Sequence, residues 1–294
     1  MKKDVQVVQD VENKMIRKLD VEEHIKTRKL WEKVFKEDTP EFLDYYYSVK
    51  VKTNEIYVIE DGDDIVSMIH LNPYQMRIEG EIYQTHYIVA VATDEAYRKR
   101  GYMRRLLCHV LDITEKRGEP FTFLMPASEA IYKPFGFEFV YMQGRTKIAG
   151  KQMDNSQICI VEAAESDCGA MAEYANDQLM NYDVTTWRDA SYYKMILAEQ
   201  KSENGGILLA KEGNKIRGVF CYAKESGFEI REPLFDNEVL LKGAIYSLTG
   251  NEEEEVLCTA YGSAETKPII MAKVLQKKMS NSLKNKKVFI NEVV

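Results

Sequence analysis

The chain of 294 residues, 45% hydrophobic and 30% charged, is long enough for one large or two small cores and is neither disordered nor collagen-like in composition. No apolar run approaches the roughly 20 residues of a membrane span, and the opening MKKDVQVVQDVENK is too polar for the core of a secretory signal, so the expected compartment is the cytoplasm. Forty basic against 47 acidic residues leave a formal charge of −7, which disfavours nucleic acid as a partner and suits cationic small molecules. The five cysteines are scattered without metal-ligand spacing and read as reduced thiols. The four histidines share no i, i+4 pair, so no metal site is expected.

In chain order, residues 21–35 carry a helical apolar face through Ile25, Leu30, Val34 and Phe35. A short helix follows over residues 40–49, with Pro40 in its first turn and Thr39 as its N-cap. The period then changes to two. EIYVIE, a turn at Asp61, Gly62 and Asp63, and DIVSMIHL predict one hairpin; YQMRIEG and EIYQTHYIVAVAT predict another. The meander ends in the apolar stretch 88–93, which reads as a central strand buried on both faces. After the basic run 98–101 comes a helix with a stripe of Met103, Leu106, Leu107, Val110 and Leu111, stopped by Gly118 and Pro120, and then the strand FTFLM. Cys108 lies in that helix and reads as packed against the sheet.

The second half repeats this order with different residues. Helices are expected over 168–180, 190–200 and 237–247, three strands between 206 and 235, and a further strand over 255–261. The fold class is therefore α/β, with a boundary in the polar stretch 150–156. The residues from Pro268 end in VFINEVV, too apolar for an exposed tail, so the terminus is expected to dock.

Where the strand 88–93 gives way to the helix, the backbone N–H groups of Arg100, Gly101, Tyr102 and Met103 lack intrahelical partners and add to the helix dipole. Gly101 allows close backbone approach, and Arg98, Lys99, Arg100, Arg104 and Arg105 add positive charge, so a pyrophosphate fits. A solvated basic helix start is the plainer alternative.

The string VAVATDEAYRKRGYMRRLL, followed by FLMPASEAIYKPFGF, resembles the Gcn5-related N-acetyltransferase (GNAT) family. Its coenzyme A motif Arg/Gln-x-x-Gly-x-Gly/Ala stands here as residues 98–103, departing only at Met103, and the Tyr-x-x-x-Gly-Phe signature spans residues 132–137. MIHLNPY, GYMRRLL, LMPASEAIY and WRDASYYKMIL make the chain similar to the enhanced-intracellular-survival type acetyltransferases, lacking most of their sterol-carrier-like third domain.

The resemblance implies two tandem GNAT-like domains with mixed, mostly antiparallel sheets flanked by helices. They are a catalytic domain over 1–150, a degenerate copy over 151–267, and a tail over 268–294 docking toward the active site. It implies acetyl-coenzyme A as the co-substrate. Pantetheine would pair with the backbone of Val91, Ala92 and Thr93 near Ser128, and the pyrophosphate would sit on Arg98, Lys99, Arg100, Gly101, Tyr102, Met103 and Arg104. Tyr132 would protonate the departing thiolate, and the carboxylate of Val294 would accept the amine's proton, with Glu292, Glu129 or a water chain as competitors.

The implied reaction is direct transfer to a primary amine of a small cationic molecule, aminoglycoside- or polyamine-like. A protein lysine, or a non-catalytic acyl-coenzyme-A-binding role, is the alternative. In the second half, PLFDNEVLL places Asp236 and Glu238 where a phosphate would need cations, so that half should not bind coenzyme A; Asp236 or Asn237 reads as a helix cap. The sequence leaves the oligomeric state, homo-oligomer included, open.

Overall fold

The computed structural model describes residues 15–154, 157–224, 227–277, 283 and 286–292. The first half runs β1 (Ile16–Lys18), a 3-10 segment Val21–Thr27, α1 (Arg28–Val34), α2 (Pro40–Ser48), β2 (Glu55–Asp61), β3 (Asp64–Ile78), β4 (Glu81–Thr93), α3 (Tyr102–Lys116), β5 (Phe121–Leu124), α4 (Glu129–Tyr132) and β6 (Glu138–Ala149). Beyond it lie β7 (Ile158–Glu162), α5 (Cys168–Gln178), β8 (Val184–Thr186), α6 (Ala190–Ser202), β9 (Gly206–Glu212), β10 (Lys215–Lys224), β11 (Phe228–Phe235), α7 (Glu238–Thr249), β12 (Glu255–Thr259), β13 (Glu265–Val274) and β14 (Val288–Phe289). No helix among the described residues is long and apolar enough to cross a membrane.

Local chemistry accounts for the boundaries. Thr39 caps α2 by accepting from the Phe42 N–H at 3.1 Å, and Pro40 occupies the first turn, where no amide partner is needed. The first helical stretch begins as a 3-10 segment and becomes α-helical only from Arg28. The segments DIVSMIHL and YQMRI, expected as parts of two hairpins, form the single strand β3, because Pro73 makes no break in a strand paired with β4 along its length.

Strands β2 to β4 are covered on both faces. In β2, Ile56 and Val58 pack under α1 and α2 with Leu30, Trp31, Leu43 and Tyr46, while Tyr57 and Ile59 pack on the other face with Leu106, Leu107 and Val110 of α3. The second half alternates likewise: Leu208, Ala210 and Phe220 face α7, whereas Ile207, Leu209 and Val219 join the cluster that includes residues of α5, α6 and α3. One core therefore runs through both halves.

The sheet has the order β1-β2-β3-β4-β5-β13-β6-β12-β11-β10-β9-β7. Strand β6 follows β5 in the chain but lies against β12, and β13 follows β12 but lies against β5, each antiparallel. The last strand of each half is thus exchanged into the other. This corrects the reading of the residues from Pro268 as a tail: 268–274 belong to a central strand, and Ile270 and Met271 are fully buried. The described residues beyond it also pack on the protein. Strand β14 pairs parallel with β8, which pairs with the end of β3, and Phe289 packs on Tyr141 and Tyr182.

Ile270→Ala should lower unfolding stability by about 2–5 kcal/mol. Because β13 and β6 belong to both halves, near- and far-ultraviolet circular dichroism should report one coincident transition in urea. Two separated transitions would contradict the shared core.

Candidate active site

The site begins at an irregularity in β4. Pairing with β3 shifts register between Met68 and His70, and Ala90 takes φ 52°, a left-handed conformation that kinks the strand as a bulge. On the β3 side the ladder resumes at Ala92 and Thr93. On the β5 side the only pair among the described residues is Tyr87 with Phe123, after which the strands part. The stretch expected to be buried on both faces is consequently half-exposed at Val89, Val91 and Thr93, while Ile88, Ala90 and Ala92 remain in the core.

A cleft of about 690 Å³ opens at this divergence. Its inner wall is residues 87–91 of β4, residues 125–127 after β5, and Tyr132. Trp31, Phe35, Glu37, Asp38, Glu41 and Phe42, around the junction of α1 and α2, form a second wall; residues 202–204 and Lys224 form a third. Asp38 accepts from Trp31 Nε1 at 2.6 Å, and burial holds its carboxyl above the usual range. None of these outer residues carries a sequence signal. Those on α1 and α2 read as parts of amphipathic helices, and 202–204 reach the cleft only through tertiary packing.

The loop before α3 lies just past the half-exposed edge of β4. Lys99 and Gly101 have φ of 63° and 83°, so the backbone turns left-handed on either side of Arg100 and leads into the free amides of a 15-residue helix. Arg98, Lys99, Arg100, Gly101 and Arg104 are all exposed. Arg98 Nε donates to the Thr93 carbonyl at 3.2 Å, Arg100 donates to the Ala96 carbonyl at 2.9 Å and covers the Tyr97 ring, and Arg104 lies 5.0 Å from the Phe135 ring centre. Tyr102 is buried beneath the loop, and Met103 packs against the core. A side chain that turns inward explains how Met103 can stand where the motif has a small residue.

A Cβ at Gly101 would meet no atom within 4 Å, so its constraint is conformational. Gly101→Ala should cost about 1 kcal/mol in stability, read by thermal unfolding, and should weaken coenzyme A binding.

Tyr132 closes the short helix α4, 6% exposed, with its ring edge-on to Phe137; burial pushes its phenol up to about 12. Ser128 is the exposed residue preceding α4 and does not line the cleft. Glu129 points along the surface, bound to Lys133 at 3.1 Å. Val294 lies outside the described residues. The described chain stops at Glu292, which is buried 3% exposed and accepts from the Tyr192 hydroxyl at 3.2 Å; its neighbour Asn291 accepts from Gln143 at 2.8 Å. Cys108, expected to be packed, is exposed, because it falls on the solvent side of the stripe formed by Leu106, Leu107 and Val110.

The second half also has a kinked strand, with different side chains around it. Glu232 in β11 has φ 52°, as Ala90 has in β4, and β11 pairs with β12 at Glu229, Ile230 and Arg231, up to that kink. The Glu232 carboxylate is tied to the fully buried Arg188 at 2.5 Å. Asn237 caps α7 through Val239 N–H at 3.1 Å, while Asp236 accepts from Tyr174, Gln178 and Arg217. Here a phosphate would meet carboxylates.

Residues 15–140 match the family model of the acetyltransferase (GNAT) domain. The first half therefore carries a GNAT acetyltransferase domain, and the class it defines is an acyl-coenzyme-A-dependent N-acetyltransferase. The whole chain is similar in fold to a protein of unknown function from Enterococcus faecalis described as a probable N-acyltransferase: TM-score 0.74, 18% identity, 91% of this chain and 74% of that one. It is also similar to a GCN5-related N-acetyltransferase from Kribbella flavida, with TM-score 0.72, 15% identity and coverage of 92% and 74%. For Eis1 from Mycobacterium abscessus the values are 0.63, 12%, 89% and 73%. No curated protein matches the sequence.

Proposed function

We propose that the protein transfers an acetyl group from acetyl-coenzyme A to a primary amine of a small cationic acceptor, aminoglycoside- or polyamine-like, by direct attack in a ternary complex. In this reading, residues 1–150 form the catalytic domain, and residues 151–267 form a degenerate copy that closes the acceptor side. The subtype is that of the enhanced-intracellular-survival acetyltransferases. The observation that carries the reading is the single cleft in which the opened β4 edge and Tyr132 face an aromatic and acidic wall built from Trp31, Phe35, Phe42, Glu37, Asp38 and Glu41.

The donor would lie along the free edge of β4 at Val91, Ala92 and Thr93, which supplies strand-like hydrogen bonds without a competing partner from β5. Its pyrophosphate would meet the amides of residues 100–103 and the side chains of Arg98, Lys99, Arg100 and Arg104. Acceptor cations are favoured by the carboxylates of the opposite wall and by ring faces that attract ammonium groups.

In the chemical step, the neutral amine nitrogen bonds to the thioester carbonyl carbon and the carbon–sulfur bond breaks. Tyr132 gives its proton to the departing sulfur. A phenol raised to about 12 remains protonated at neutral pH and is available as that acid. The amine's proton needs an acceptor, a role we assign to the end of the chain, to the Val294 carboxylate or to its competitor Glu292.

Thiol release from acetyl-coenzyme A, measured across aminoglycosides, polyamines and lysine peptides, tests the assignment. Release with the small polycations is expected, and silence across the panel would overturn it. Arg98→Glu should weaken coenzyme A binding about tenfold by calorimetry. Tyr132→Phe should keep that affinity and lower turnover about a hundredfold; unchanged turnover would remove the acid assignment.

A further inference from the structure

Behind the cleft, where α6 of the second half packs against α2 of the first, lies a buried polar cluster that the transfer chemistry above does not use. Glu199 of α6 is 4% exposed, and its carboxylate accepts from the Tyr45 hydroxyl of α2 at 3.0 Å. One helical turn further on, residues 202–204 line the cleft, and Ser202 Oγ donates to the Glu199 carbonyl at 2.7 Å. Lys50, also buried, donates to the Tyr74 hydroxyl at 2.6 Å and to Met195 Sδ at 3.0 Å. Tyr74 in turn packs edge-on to Tyr87, which forms the cleft's inner wall. The cluster thus reaches from the reacting end of the cleft into the second half.

A second cavity, about 30 Å³, lies in this cluster and is lined by Glu199, Gln200, Tyr192, Arg231, Glu232 and Glu292. That volume suits one water, and Gln200, which lines it, has its Oε1 buried with no partner among the described residues, as a water's donor would require. Glu199 and Glu292 therefore stand on one water-sized space, Glu292 being the carboxylate whose charge acts more strongly on the Tyr87 phenol.

We propose that Glu199, contributed by the second half, takes up the proton released by the acceptor amine in the first half, by way of Glu292 and the water of this cavity. The ammonium loses one proton to become the neutral nucleophile, and the Glu199 carboxylate gains it to become a neutral carboxylic acid, to be returned to solvent after product leaves. This inference rests on the acetyltransferase reading. Glu199 acts through the water and Glu292, and so is a positioning residue for the proton.

The surroundings tune Glu199 for such exchange. Burial raises its carboxyl to about 7, against the opposing pull of Lys50 and the Tyr45 hydrogen bond. The other groups facing it are Glu203, held by Arg231 of β11; Glu232, paired with Arg188; Cys221 of β10; Tyr74 of β3; Tyr192 of its own helix; and Glu292. A carboxyl near 7 accepts a proton only when ionised, so turnover should fall as pH drops through that value.

The test uses the full chain with the amine of the panel that releases thiol fastest, together with calorimetric acetyl-coenzyme A binding. Glu199→Gln should bind acetyl-coenzyme A within about twofold of wild type, lose about tenfold in turnover at pH 7, and lose the acidic limb of the pH profile. Glu199→Asp should restore the limb. Tyr45→Phe removes a hydrogen bond that favours the ionised form, so its limb should move to higher pH; this variant also serves if Glu199→Gln does not fold. In an infrared titration, a carboxylic acid signal that titrates near neutrality should be absent from Glu199→Gln. An unaltered profile in Glu199→Gln, or a limb unmoved in Tyr45→Phe, overturns the relay while leaving the acetyltransferase reading intact. Failure of the wild-type chain to bind acetyl-coenzyme A overturns that reading itself.

Discussion

The parting of β4 from β5 just after Tyr87 is the constraint on which the site depends. A sheet satisfies its backbone groups by pairing, and an interior strand that leaves one edge free carries a cost unless something else occupies the edge. The bulge at Ala90 creates the opening, the β3 ladder holds the other edge of β4 in register, and the neighbouring aromatic residues Tyr87, Phe123 and Tyr74 keep the base of the opening rigid. The basic loop, the buried phenol of Tyr132 and the acidic wall gain their arrangement from that one gap. In the second half, with a kink of the same sign at Glu232, the pairing of β11 with β12 runs up to the kink, at Arg231.

Much of this was readable in the amino-acid order. The stripe of α3 and the Thr39 cap are local, and local chemistry predicts them. The basic loop was legible because charge, glycine and helix start coincide within eight residues. The exchange of β6 and β13 was not legible, since pairing partners more than a hundred residues apart leave no periodic trace, and residues 268–274 consequently read as a tail. The outer cleft wall was hidden for a related reason: Trp31 and Asp38 look like ordinary members of a helix and its exit, and only packing reveals that they border a cavity.

The second half acts through its placement more than through any motif of its own. Its α6 supplies residues 202–204 to the cleft and Glu199 to the buried cluster, and Arg77 of β3 donates to the carbonyls of Leu179 and Tyr182 beyond α5. Buried Lys50 would be costly alone, and it is tolerated because Tyr74 of the first half and Met195 of the second surround it, whereas Arg188 finds its partner Glu232 within the second half.

The strand exchange also bears on synthesis. Because β13 completes the sheet beside β5, the first half leaves the ribosome with its central edge bare and must wait for some 125 more residues before that edge is covered. An apolar strand border exposed for the time needed to translate those residues invites pairing with other nascent chains. Growth conditions that slow elongation should therefore tax the yield of this protein more than that of one whose halves each close on themselves.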